Sequence, residues 1–519
     1  MTRSVEQPVR AAEIVGALSL ATDLGTGQPL EHALRTAVLA VRLGELAGAS
    51  PQELVDTYYV ALLHASGCTS NGHEAIQLYD DDIAHRAAFF LIDTTNPEEV
   101  LAFYRANIGA GRPQEVREAL VAEAIANAGP RAREAFATMC EVAQRFAGWL
   151  ELGSTVEAAL EFVFARWDGR GFPDARGDEI PLPMRLLHVA RDVSLFLSAA
   201  GPDEARAVVE RRAGAAYEPR LAELALGSFD ELLAELDETR MWEQALESEP
   251  FPKVWIAGKR VDAAFMAIAA LTGLKSPWLR EHSTGVAELA EAAAWRAGLP
   301  AESVTLLRRA ALAHDLGRVG VSNAIWEKPG PLGFGEWERV RLHPHFSERA
   351  FAQSPALAPI GLLAGSHHER LDGSGYHRGT KAPALDQAAR ILAAADCYTA
   401  MREARPYRPA LDPPTVEAEL LREAREGRLD PVAVDAVLAA AGHRVPKRHR
   451  ELPAGLTERE LEVLLMLVRG QSNQEIADDL GISVKTVGHH VQHVYEKAGV
   501  RSRAAATLWA FEHDLVHAA

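Results

Sequence analysis

Cysteine is nearly absent from these 519 residues: Cys68, Cys140 and Cys397 are the full set, and no two share a paired spacing. That excludes a disulfide framework and a zinc ribbon. Long apolar runs are missing as well, so no segment reads as a bilayer span. The opening MTRSVEQPVRAAE lacks the apolar core of a signal peptide. Together these absences lead us to expect a soluble, cytoplasmic protein with no membrane partner. Positive charge is also short. The formal net charge is −18, and a phosphate backbone rewards cations, so general nucleic-acid affinity is excluded and any DNA contact must be local.

Clean alternating strand patterns are scarce, whereas Ala, Leu, Glu and Arg recur at helical spacing almost everywhere. The fold class expected is mostly α. A hydrophobic content of 48% suits packed globular domains, and the length suits about three of them.

The chain repeats itself. EHALRTAVLAVRLGELAG (31–48) resembles EHSTGVAELAEAAAWRAG (281–298), and ALLHASGC (61–68) matches AALAHDLGR (310–318), placing His64 over His314. RWDGRGFP (166–173) then matches RLDGSGYH (370–377). The offset between copies falls from 250 (64 to 314) to 204 (166 to 370), so the first copy carries an insertion of about 46 residues. We expect a first helical copy over 1–226, a helical connector over 227–259, a second copy over 260–445, a basic linker over 446–455 and a C-terminal module over 456–519. The copies differ where chemistry would reside: Ala65 replaces Asp315, and Val163 and Phe164 replace His367 and His368. The first copy is therefore expected to be structural or ligand-sensing.

The second copy offers His282, the consecutive His314 and Asp315, His343, His367, His368, Asp372 and Asp396. Imidazoles and carboxylates suit first-row transition metals, and an aspartate can bridge two ions that together hold a hydroxide at neutral pH. In order, the motifs HD, HP, HH, DGSGY and ILAAAD resemble the HD-GYP family of metal-dependent phosphohydrolases over roughly 260–445. The resemblance implies a helical domain holding two divalent transition-metal ions, iron or manganese, and hydrolysing cyclic di-GMP or a related phosphoester. Carried over residue by residue, it makes Asp315 the bridging ligand. His282, His314 and Asp396 complete one ion, and His343, His367 and His368 the other. Asp315 and Arg318 become the catalytic pair, while Asp372, Gly373, Gly375 and Tyr376 in the glycine loop, with Arg405 and Arg408 in RPYRP, become the substrate-binding set.

Four positions depart from the family pattern. Arg318 stands for a lysine, His377 for the proline of GYP and Thr399 for an aspartate, while Trp278 stands where three-metal members have glutamate. Two metals are therefore expected.

The stretch from Leu456 to Val516 shows its own boundaries. Thr457 with Glu460, and Ser472 with Glu475, have the spacing of capping boxes. Ser483 and Ser502 are further N-cap candidates, and Gly470, Gly481 and Gly499 fall where helices stop. Four short helices follow, with IADDLGISVKTV forming helix-turn-helix. Val487, Val491 and Val494 form the buried stripe of the recognition helix. Lys485, His489 and Gln492 then face a major groove, and Thr486 and His490 flank them. The segment resembles the LuxR-type (GerE-like) DNA-binding domain, implying double-stranded DNA as a partner.

Residues 451–519 hold six Lys or Arg against ten Asp or Glu. Phosphate contacts would have to come from Arg444, Lys447, Arg448 and Arg450, from Arg501 and Arg503, or from the doubled footprint of the expected homodimer. Two functions fit: a transcription regulator that hydrolyses a cyclic dinucleotide, or one that senses such a ligand without turnover.

Overall fold

Side chains that satisfy the free amides of a first turn set many of the helix starts. Ser50 accepts from the Glu53 amide while Glu53 reaches back to the Ser50 amide, and Pro51 occupies the first turn. Glycines in the left-handed region close others, among them Gly27 and Gly48. The computed structural model of the protein describes residues 8–445, 453–513 and 515. Nearly all are helix or short connection, and the single strand pair among them joins Val9–Arg10 (β1) to Trp255–Ile256 (β2), antiparallel.

The chain divides into one unit over residues 1–443 and a second over 444–519. Of the expected linker, residues 446–452, with Lys447, Arg448 and Arg450, lie outside the described residues.

The first unit holds both helical copies. In the first, Ala11–Thr26 (α1) precedes His32–Ala47 (α2) and Pro51–Leu63 (α3). Asp82–Phe89 (α4) opens the inserted region, and Leu182–Ala200 (α5) returns to pack on α2 and α3. In the second copy Lys259–Leu274 (α6) precedes His282–Arg296 (α7) and Ala301–Ala313 (α8). His343–Ala352 (α9) follows, and Gln387–Arg402 (α10) packs on α7 and α8 as α5 does on α2 and α3. The offsets found in the sequence recur in the helix starts, 32 to 282 and 51 to 301, and in the paired aspartates Asp192 and Asp396.

The expected helical connector holds two short helices, Phe229–Ala234 and Met241–Glu247, followed by β2. Pro250 and Pro252 stop helix propagation. The chain then pairs back on its own start, with the Ala11 amide donating to the Val254 carbonyl at 2.8 Å. Buried Glu249 secures this return by accepting from the Tyr59 hydroxyl at 2.7 Å and from Arg10 Nε at 2.9 Å.

The second unit has the four expected helices: Glu458–Val468 (α11), Asn473–Leu480 (α12), Val484–Ala498 (α13) and Arg503–Glu512 (α14). Both capping boxes and both serine caps form, and Gly470, Gly481 and Gly499 have positive φ. Its core joins Leu464, Val494, Ala506 and Ala510 on one side to Val463, Leu467, Ile476 and Val487 on the other.

Candidate metal centre and DNA-reading face

Backbone carbonyls orient the centre's histidines. The Nδ1 atoms of His314, His343 and His367 each sit against the carbonyl three residues back, Ala311 at 2.6 Å, Val340 at 2.5 Å and Ala364 at 2.7 Å. An Nδ1–H bound this way fixes the tautomer and leaves the Nε2 lone pair to point inward. His282 achieves the same with a side chain: its Nδ1 meets Glu403 Oε2 at 2.9 Å, and its Nε2 faces Asp396 Oδ1 at 3.1 Å.

Asp315 stands between two groups of rings. Its Oδ2 lies 3.4 Å from His282 Nε2 and 3.3 Å from His314 Nε2, and its Oδ1 lies 3.4 Å from His343 Nε2 and 3.5 Å from His367 Nε2. His368 Nδ1 is 3.7 Å from Asp396 Oδ2. Two clusters with metal-ligand spacing result, His282–His314–Asp315 and His343–His367–His368. All seven predicted side chains therefore converge, and all except the half-buried His368 are buried.

The electrostatics fit a cation. Burial pushes the His343 imidazole down to about 4 and depresses His367 and His368, so these rings are neutral at neutral pH, the form that binds metal. Burial opposes charge on Asp315 and Asp396 too. Arg318 and His314 nevertheless hold Asp315 well below the usual carboxylate range, and the His282 hydrogen bond does so for Asp396. Burial likewise lowers His282, but its hydrogen bonds to Asp396 and Glu403 prevail and leave it raised.

Both Asp315 oxygens and His314 Nε2 are buried without a well-formed hydrogen bond. Leaving buried polar atoms so costs about 1–3 kcal/mol each, and a divalent ion removes that cost. The donor set fits divalent metal.

α8 ends at Ala313, and Gly317 beyond it permits a close approach: a Cβ there would lie 2.1 Å from the His343 carbonyl oxygen and 2.6 Å from the Ser347 amide. Gly317→Ala is expected to destabilise the first unit by about 1–3 kcal/mol and to lower bound metal, read by thermal unfolding and metal analysis.

A cavity of about 550 Å³ opens over the centre, with His343, His368 and Asp396 in its wall beside Arg318, Arg405 and Tyr376. Tyr376 stacks on His368 at 4.1 Å between ring centroids. Arg318 Nε lies 2.8 Å from Asp315 Oδ2, and its guanidinium stands over the Trp326 ring. Arg405 donates to the Trp278 carbonyl at 2.8 Å and to Glu403 at 2.7 Å.

Four of the expected substrate contacts also have structural roles in the fold. Asp372 is exposed and accepts the Ser374 amide at 2.8 Å, so it shapes the glycine turn and does not line the cavity. Gly373 and Gly375 answer backbone demands: φ is +83° at Gly373, and a Cβ on Gly375 would meet the His368 carbonyl oxygen at 2.8 Å. Arg408 lines the cavity, but its guanidinium is bound to carbonyls at the end of α10, including Met401 at 3.2 Å and Glu403 at 3.1 Å.

Sequence reasoning missed Glu403, whose only signal is its place two residues before RPYRP, and Trp326, which meets His343 edge-on at 5.4 Å.

In the first copy His64 keeps the same carbonyl contact, Nδ1 to Ala61 O at 2.7 Å. Asp192, the counterpart of Asp396, is bound by Arg191 at 3.0 Å, by Arg212 at 2.5 Å and by the Tyr217 hydroxyl. Cationic guanidiniums thus stand where the second copy gathers imidazoles.

In the second unit Val487 and Val494 are buried and Val491 half-buried, while Lys485, Thr486, His489 and Gln492 are exposed and His490 is half-buried. This is the expected face. Arg503 is corrected: its guanidinium donates to the Leu467 carbonyl at 2.9 Å and to that of Gln471, closing α11, so it is not free for phosphate.

Family models match the regions that carry both. Residues 267–432 match the HD domain, and residues 454–510 match the bacterial regulatory proteins of the luxR family. The chain joins an HD domain to a LuxR-type helix-turn-helix domain. It is 29% identical to 3'3'-cGAMP-specific phosphodiesterase 3 of Vibrio cholerae, over 85% of this chain and 96% of that one. The cyclic di-GMP phosphodiesterase response regulator RpfG of Xanthomonas campestris is 38% identical over 27% of this chain and 38% of its own. A crystal structure of a Vibrio cholerae cyclic GMP-AMP specific phosphodiesterase superposes with a TM-score of 0.60 at 26% identity, covering 85% of this chain and 99% of that chain. Among the described residues no helix is long and apolar enough to cross a membrane.

Proposed function

We propose that the protein is a cytoplasmic transcription regulator whose HD-GYP-type domain holds two divalent transition-metal ions, iron or manganese, and hydrolyses a cyclic dinucleotide. The observation that carries this reading is the Asp315 carboxylate, whose two oxygens each face a separate pair of imidazoles beneath the cavity. His282, His314, Asp315, His343, His367, His368 and Asp396 would hold the ions, which would supply water activation and charge compensation for phosphodiester hydrolysis. Asp315 keeps both ligand groups in register. Arg405 and Arg318 present guanidinium donors to phosphate oxygens, and Trp278 and Tyr376 give the cavity wall aromatic surface for bases. The relatives act on 3'3'-cGAMP and cyclic di-GMP by name, and both are the substrates to test. Turnover of either by metal-loaded protein, abolished in Asp315→Ala, supports the enzyme.

A second reading, a ligand sensor without turnover, has its own observations. Arg318 rests on Asp315 Oδ2, and the first copy encloses a cavity of about 340 Å³ lined by Arg166, Arg170 and Arg212 among phenylalanines. Tight ligand binding with no product would favour it.

For the reader, Lys485→Ala and Gln492→Ala are each expected to weaken operator binding about tenfold or more, with a shallower salt slope for the lysine. Gel retardation across a salt series checks both; unchanged retardation in both variants would remove this face from the reading.

A further inference from the structure

On the side of α9 turned away from the centre, His345 and Glu348 meet His377 from the glycine loop. His345 and Glu348 are three residues apart, hence neighbours on one helix face. His343 is two residues from His345, about 200° around the helix, so the two histidines serve different places. The His345 and His377 ring centroids are 5.5 Å apart, and His377 Nε2 lies 3.9 Å from Glu348 Oε2. One ligand atom from each of the three falls within 4.8 Å of the others. Both ring nitrogens of His377 are buried with no hydrogen-bond partner among the described residues. A half-buried imidazole whose two nitrogens are shielded from solvent and unsatisfied carries a cost, and a metal ion is a partner that accepts its lone pair.

We propose that His345, Glu348 and His377 form a third, mononuclear site for a zinc-like divalent ion, separate from the centre beneath the cavity. Two imidazoles and a carboxylate leave a fourth position for water, the donor set that zinc accepts. The Arg378 guanidinium lies against Glu348 Oε2, so it must swing off as the ion enters, and the site is weaker than a preformed one. Once filled, the site ties the loop bearing Tyr376 to the helix bearing His343.

Zinc titration of the full chain tests the site, with equivalents counted after gel filtration. The wild type is expected to retain one more zinc per chain than His377→Pro or His345→Ala. Arg378→Ala keeps that ion and holds it at least tenfold more tightly, since Glu348 is freed. The exposed His489 and His493 are identical in every variant and cancel. Equal stoichiometry in the wild type and both histidine variants overturns the proposal, as does an Arg378→Ala affinity equal to or below the wild type's. If His377→Pro does not fold, His345→Ala gives the same count. Loss of turnover in the main centre would not alter this count, so the two readings fail separately.

Discussion

Asp315→Ala is expected to strip the centre of metal and to lower phosphodiester hydrolysis by about a thousandfold or more. The size follows from position. Asp315 is buried, and its two oxygens stand 3.3–3.5 Å from four imidazole nitrogens, two on each side. With two ions bound as proposed, its removal would leave the imidazoles and Asp396, with no carboxylate between the two ligand groups to offset the repulsion of the ions. Loss of several kcal/mol of charge stabilisation corresponds to about a thousandfold in rate, since each 1.36 kcal/mol is tenfold. Metal analysis and a cyclic-dinucleotide turnover assay read the two losses side by side. Full metal content in the variant would show that Asp315 does not hold the ions, and undiminished turnover would remove it from the reaction.

The convergence of these residues was legible because all but His282 fall in the short motifs HD, HP, HH and ILAAAD, and the order of motifs along the chain carries the architecture. The same holds for the reader, where serine and threonine caps and stop glycines mark every helix end but the last. What stayed hidden depends on where a side chain's hydrogen bonds go. Arg408 and Arg503 read as phosphate contacts because arginine suits phosphate, yet both satisfy carbonyls at helix ends, a competing use that sequence does not show. Asp372 sits in a recognised motif and serves the turn. The need for glycine at 317 was hidden because the backbone it approaches belongs to α9, some thirty residues on. Glu403 orients His282 across 121 residues, a pairing no local pattern announces.

Burial of charge between the two copies was equally invisible, and it sets the second large effect: Asp82→Asn is expected to destabilise the first unit by about 3–5 kcal/mol. Asp82, at the start of α4 in the first copy, is fully buried against the second. Its Oδ1 accepts from the Ser322 hydroxyl at 2.7 Å and the Asn323 amide at 2.8 Å, and its Oδ2 meets Arg86 at 2.8 Å and Lys275 at 3.5 Å. Lys275 has no solvent exposure, so the variant leaves its ammonium buried without that carboxylate. Burial alone would raise the Asp82 carboxyl, but Lys275 and Arg86 hold it far below the usual range. A depressed pKa contributes stability that is fully present above the unfolded value, about 3.9, and is lost as pH falls through the folded value. The gap between wild type and Asp82→Asn should therefore be constant near neutral pH and shrink as the solution is taken below about 4. Denaturant midpoints across that range measure it. Joint replacement, Asp82→Leu with Lys275→Met, should recover much of the loss, because the cost lies in the unpaired charge and not in the missing attraction. A double variant as unstable as the sum of its singles would assign the effect to packing alone, and the two copies would then be joined by shape and not by this buried pair.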